Sequence, residues 1–257
     1  MDHKFLYFIP LISVALIVFI LGLYFNIVRN LVTVFRAWSF VLCGKKLDFR
    51  SIINVFWREV VLQTQLKSMS KVRWLRHMMI YWGFVSLGMF DLLFALFGKR
   101  LPLDSSIRMF LKFGLELTGS VLLVGTGFAL IRAVIVRNSK EKIYNYTFIA
   151  AILFVITLTG FFLEAFRLVD SPDQAINHYS FLGSSIAYFL KPLAFPWGTL
   201  YNLLWLFHST LVAGFIAYTP FSPLVHSMAV PIGFMMSSQD QLLETKLQEV
   251  ARGLLPK

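Results

Sequence analysis

Apolar residues in this chain gather into five long runs separated by shorter polar stretches. A helix needs roughly 20 apolar residues to cross the hydrocarbon core of a bilayer. Runs of that size lie at about 5–27, 74–97, 107–131, 146–166 and 200–219. The pattern predicts an all-α integral membrane protein, a bundle of five transmembrane helices forming a single membrane domain over 1–257. The first run is longer than the ~7–15 apolar residues of a signal peptide, and no small-residue cleavage site follows, so it is expected to be retained as a span. Composition agrees: 58% of the residues are hydrophobic and only 14% charged, against about 25% charged in a soluble domain. Mean hydropathy is +0.71, which excludes a disordered chain. Cys43 is the one cysteine, which excludes an internally disulfide-stapled secreted domain and reads as an ordinary reduced thiol.

A net charge of +11 would suit nucleic acid, but the basic residues lie mostly between the spans. The segment 28–73, the 132–145 loop and the tail after 220, with Arg76 and Arg132 at helix starts counted there, hold 17 of the 24 Lys and Arg. Lys4, Lys99, Arg100, Arg108, Lys112, Arg167 and Lys191 fall on the other side. The positive-inside rule places the richer side in the cytoplasm. The N-terminus is therefore expected outside and the C-terminus inside, in a chain that crosses the cytoplasmic membrane several times. No nucleic-acid recognition module accompanies the charge, so the expected surrounding is the lipid bilayer and not nucleic acid.

Two segments outside the spans carry amphipathic patterns. Within 45–66, Asp48 is placed to cap a helix over 49–66, with Phe49, Ile52, Ile53, Phe56 and Val60 on one face. That suits a helix on the cytoplasmic membrane surface, with Trp57 and Arg58 at head-group level. The tail over 237–255 predicts a capped amphipathic helix with Leu243, Leu247, Val250 and Leu254 in a stripe, packed on this chain or on a soluble partner. No internal repeat appears, which gives an inverted-repeat transporter no support.

Among the histidines (His3, His77, His178, His208 and His226), ligand-type residues within or beside spans are functional candidates, because placing them there is costly. His77 starts the second span, His208 lies in the outer half of the fifth, and His226 follows that span beyond Pro220 and Pro223. His208 and His226 are 18 residues apart, five turns of a continuous helix or roughly 27 Å. The two prolines should bend that helix, so the register is approximate. His77 and His226 are expected at similar depth on different helices, as a bis-histidine b-type haem requires. Arg73 and Arg76 are placed to neutralise its propionates. The plainer alternative is interfacial histidines beside positive-inside arginines.

Three stretches, RWLRHMMIYWGF at 73–84, LTGFFLEAFR at 158–167 and LWLFHSTLVAGFIAYTPFSPLVH at 204–226, resemble the gamma-subunit family of respiratory nitrate reductase. The likeness is greatest to its relatives in heterodisulfide-reductase-like and sulfate-reducer transmembrane redox complexes. The resemblance implies a five-helix membrane cytochrome b carrying one or two haems. It also implies electron exchange with quinone or quinol and a cytoplasmic iron–sulfur partner subunit, with a periplasmic cytochrome or other membrane subunits as further partners. Carried over by position, His77 and His226 match the pair holding the haem nearer the cytoplasm, and His208 matches one ligand of the outer haem. The other outer ligand falls ten residues after His77, where this chain has Leu87, which cannot bind iron. His178 or Met89 are the alternatives, and the second haem is left open.

Asp91, Glu116 and Glu164 fall in the outer halves of spans, where a central charge costs about 2.5–3.5 kcal/mol on insertion scales. Lys112 with Glu116, and Glu164 with Arg167, have helical spacing for ion pairs, and His208 is expected at comparable depth. This cluster is a candidate border of a quinone site, where a carboxylate would accept a proton from quinol; helix-locking ion pairs are the competing explanation. The chain is thus expected to be a quinol- or quinone-reactive electron-transfer subunit of an oxidoreductase. The alternatives are a haem-free membrane anchor, or a transporter with a charged path between its helices.

Overall fold

The computed structural model describes residues 3–29, 32, 49–98, 100–102, 105–135, 142–170 and 179–225. Among them there is no strand. Helix α1 spans His3–Leu23, α2 Phe49–Val55, α3 Thr64–Met69, α4 Lys71–Leu93, α5 Ser106–Ile135, α6 Lys142–Asp170, α7 Phe181–Leu190 and α8 Trp197–Tyr218. Helices α1, α2 and α4 each run on into a wider turn with i→i+5 bonding, at Tyr24–Val28, Phe56–Val61 and Phe94–Gly98. Five stretches are long and apolar enough to cross a membrane: Leu6–Asn26, Lys71–Gly98, Ser106–Ile135, Tyr146–Asp170 and Trp197–Phe221. Each contains or closely overlaps one of the expected runs. Their outward faces suit a hydrocarbon solvent, with Val14, Ile17 and Ile20 exposed along α1.

The chain divides into two compact units, Met1–Ile12 with Leu75–Phe215, and Ser13–Trp74 with Ile216–Lys257. In the first, α4 and α5 approach almost backbone to backbone. A Cβ on Gly83 would lie 3.0 Å from the Leu122 backbone, and one on Gly125 would lie 2.9 Å from Met79 Cβ and 3.2 Å from Ile80 N. Lipid gives apolar helices no hydrophobic reason to associate, so close van der Waals contact through small residues has to hold this seam. Leu122 and Thr126 are fully buried beside it. Helix α1 joins α8 through the Tyr7 hydroxyl and Thr210 Oγ1, 2.8 Å apart, and through the rings of Phe8 and Trp205.

In the second unit, the expected continuous helix over 49–66 is broken. Gln63 adopts a left-handed conformation (φ 49°, ψ 52°), which a right-handed helix cannot contain. Two side chains support the break. Trp74 Nε1 donates to the Leu62 carbonyl (2.8 Å), the acceptor a continuing helix would have used. The Glu59 carboxylate accepts from Thr64 Oγ1 (2.7 Å) and Gln65 N (3.3 Å), capping α3. Of the expected apolar face, Val60 is buried and Ile53 and Phe56 are exposed. Asp48, Cys43 and the 237–255 tail lie outside the described residues.

The prolines end α8 rather than merely bending it. After Tyr218 come two 3-10 turns, Thr219–Phe221 and Pro223–Val225. Pro220 is fully buried, and it fits because Gly22 has no side chain: a Cβ there would lie 2.7 Å from Pro220 Cβ. The α-helical register expected to carry His208 down to position 226 therefore stops at Tyr218.

Gly125→Leu should force α4 and α5 apart and cost on the order of 1–3 kcal/mol. Gly88, where a Cβ meets nothing within 4 Å, should accept alanine. Thermal unfolding in detergent should show a lowered midpoint for the first and an unchanged one for the second.

Candidate functional site

The carboxylates at the end of α6 and in α5 meet at the start of α7, a ten-residue apolar helix that the pattern of spans did not predict. Glu164 and Arg167 pair as expected: Arg167 Nε donates to Glu164 Oε2 (3.0 Å) and Nη2 donates to Oε1, a two-armed fork on one helix face. Ser180 stands before the first residue of α7, where a serine ordinarily turns its oxygen to the helix N–H groups. Here it makes no such cap. Its hydroxyl donates instead to Glu164 Oε1 (3.0 Å). Capping falls to Glu116, which reaches from α5 and accepts the Leu182 N–H on Oε2 (3.0 Å). The partial positive charge at a helix N-terminus makes that a favourable seat for a carboxylate.

Both carboxylates close on Gly183. A Cβ there would lie 2.8 Å from Glu164 Cγ and 3.3 Å from Glu116 Oε1. Glu116 is 5% exposed and Ser180 2%. Lys112, expected to pair with Glu116, lies one turn before it on α5. The rings of Phe166 and Trp197, 5.2 Å apart, join the end of α6 to the start of α8. Asp91 is exposed on α4.

His208 lies deeper along the same pair of helices. Its Nδ1 is 2.8 Å from Thr159 Oγ1, and a Cβ on Gly160 would be 3.6 Å from its Cε1. Thr159 and Gly160 precede Glu164 by five and four residues, so the imidazole sits roughly 6–8 Å along the α6 axis from the carboxylate fork. His77 is in the second turn of α4, because the helix starts at Lys71. Its ring is nearly parallel to that of Tyr81, with centroids 6.3 Å apart and planes at 13°. Arg76 is half-buried and Arg73 exposed. Leu87 points at α5, its Cδ1 3.8 Å from the Cβ position of Gly119, and Met89 is 52% exposed. His178 and His226 lie outside the described residues.

The donor chemistry suits haem iron in part. His208 is an imidazole held through one nitrogen, the arrangement a metal-bound histidine needs on its other side. His77 is a second imidazole, on another helix. Leu87 supplies nothing. No group of three or more His, Cys, Asp or Glu able to hold a metal ion occurs among the described residues. Thr159, Ser180 and Gly183 were not singled out from the sequence. For Thr159 the available signal was a hydroxyl within a span and within the LTGFFLEAFR stretch.

No family model matches the chain, and no solved structure matches it. Curated relatives do. A Methanosarcina acetivorans protein is 27% identical over 196 residues, 72% of this chain and 66% of the relative. One from Methanosarcina barkeri is 26% identical over 207 residues, 77% of this chain and 71% of the relative. One from Methanosarcina mazei is 25% identical over 208 residues, 77% and 72%. The chain thus matches about two thirds of the length of the relatives. Each of the three is named as a subunit of dihydromethanophenazine:CoB–CoM heterodisulfide reductase. The chain is therefore similar to a subunit of a redox enzyme, which bears out the heterodisulfide-reductase side of the resemblance read from its motifs.

Proposed function

We propose that this chain is the b-type cytochrome membrane subunit of a respiratory redox complex, passing electrons between a two-electron membrane carrier and a cytoplasmic iron–sulfur partner subunit. The observation that carries the reading is His208, an imidazole inside an apolar span and held there by Thr159 Oγ1 at 2.8 Å. Such a residue is costly in lipid and is retained for a function. The relatives' name adds a reductase that draws on a reduced carrier, dihydromethanophenazine. We extend this to a carrier of the quinone or phenazine class.

On this reading, His77 and His226 hold haem b on the cytoplasmic side, with Arg73 and Arg76 at its propionates. His208 is a ligand on the outer side, with His178 or Met89 as its partner. Haem b, when bound, supplies a one-electron iron couple tuned by its ligands and burial. The chain's own outer residues handle the carrier. Glu164, occupied by the Arg167 fork and the Ser180 hydroxyl, fixes the start of α7 and compensates charge. Glu116 is buried, and its carboxylate accepts from the Leu182 N–H. It is the better placed of the two to accept a proton from a reduced carrier. Lys112, one turn before it on α5, offsets its charge while it is ionised.

Haem b per chain, measured by alkaline pyridine difference spectrum on the complex with its partners retained, should come to two. His77→Ala should remove one and His208→Ala the other. A single haem that survives His208→Ala would restrict the reading to the cytoplasmic pair. No haem at all would overturn it in favour of a haem-free anchor.

Glu116→Gln keeps an oxygen for the Leu182 N–H but removes the proton-accepting group. It should leave folding intact and lower turnover with reduced carrier by about 100-fold or more, the usual weight of general-base catalysis. Full activity in that variant would remove the proton role from Glu116.

A further inference from the structure

We infer that Thr159 is the positioning residue for His208: its hydroxyl fixes the imidazole as the Nδ1–H tautomer and so presents an unprotonated Nε2 as the iron ligand. The inference rests on the reading of His208 as a haem ligand given above, and it specifies what makes that nitrogen available.

The argument turns on where a single proton goes. Thr159 Oγ1 lies 2.7 Å from the Val155 carbonyl and 3.0 Å from that of Ile156. The Val155 carbonyl is the nearest acceptor to the hydroxyl, and in the arrangement inferred here it takes the hydroxyl proton. What Oγ1 then turns toward His208 at 2.8 Å is a lone pair, and the proton between the two atoms belongs to Nδ1. A neutral imidazole carries one ring proton. With that proton on Nδ1, the lone pair is on Nε2, the state in which a ring nitrogen binds a metal.

Back-bonding to the i−4 carbonyl is common among the span hydroxyls here. Thr118, Ser120, Thr126, Thr157 and Ser209 all do it, at 2.6–2.7 Å. In those five the bond satisfies the hydroxyl within its own helix. Thr159 uses the same bond to orient its free lone pair toward another helix, and Gly160 beside it adds no side chain between α6 and the ring. In that arrangement the threonine at 159 serves His208 as an acceptor.

The test is ¹⁵N-histidine NMR of the full chain purified without haem, with the His208→Asn chain assigning the signal, alongside haem retention in the loaded protein. The wild type should show Nδ1 protonated and Nε2 bare. Thr159→Val, which keeps the shape and loses the acceptor, should redistribute the tautomer. It should also weaken haem retention on the His208 side roughly 10–100-fold, the usual weight of such an outer hydrogen bond. Thr159→Ser should restore both. A wild-type Nε2–H tautomer, or a Thr159→Val spectrum and haem retention matching wild type, would overturn the inference. A correct Nδ1–H signal in a chain that never takes up haem would overturn the ligand role and with it the function proposed above, while leaving the hydrogen bond in place.

Discussion

Hydrocarbon offers no hydrogen bonds, and most of what is particular about this chain follows from that. Backbone groups in a span can be satisfied only within the helix, which sets the element type. Side-chain polar groups face the same demand, and among the described residues no buried side-chain nitrogen or oxygen lacks a partner. The cheapest solution is local, a hydroxyl folded back on the carbonyl one turn earlier. A group that reaches to another helix instead, as Glu116 does to Leu182 and Thr159 does to His208, links two elements in one geometry. Such a link is costly to break, because the released group has no water to turn to.

The same solvent decides how the helices touch. Between apolar helices in lipid, affinity comes from close fit, and the glycines of α4 and α5 allow it at Gly83 and Gly125. Gly183 does a related job for polar contacts. By leaving room for two carboxylates, it lets α7 begin inside the fold, with the Leu182 N–H of its first turn accepted by Glu116. Ser180 is thereby released from capping and becomes a donor to Glu164. One missing side chain thus allows a short helix to be anchored by charge at its N-terminal end while Tyr188 and Phe189, near its other end, are left exposed.

The spans could be read from the sequence because bilayer thickness imposes a length that few soluble helices reach in unbroken apolar residues. The ion pair of Glu164 and Arg167 was legible for a similar reason: i,i+3 spacing is local. What escaped depended on another helix. The spacing that pairs Lys112 with Glu116 gave no sign that Glu116 would reach across to the Leu182 N–H. Helix α7 is too short to register as a span and too apolar to register as a loop. The break at Gln63 was invisible because glutamine gives no turn signal; Glu59 and Trp74 stabilise it from four and eleven positions away. Thr159 read as one more span hydroxyl until His208 was seen beside it.

Leu87 stands where a second iron ligand was expected, and its surroundings show how a leucine is accommodated there. Its Cδ1 lies 3.8 Å from the Cβ position of Gly119, which also receives the Phe161 ring at 3.0 Å. The side chain at 87 is therefore part of the packing among α4, α5 and α6. A leucine there adds buried apolar area to a seam held by close fit, whereas an imidazole reaching for iron would have to leave that seam or open it. His208 faces the opposite demand: it brings a polar ring into a span and retains it with a dedicated acceptor. If His208 holds iron, the second ligand has to come from outside the Leu87 seam. Of the two candidates, Met89 stands two residues from Leu87 on α4 and is largely exposed. His178 belongs to the connection between α6, which carries Thr159, and α7, which the carboxylates anchor. On the function proposed here, the partner of His208 thus comes either from α4 itself or from the segment that joins α6 to α7.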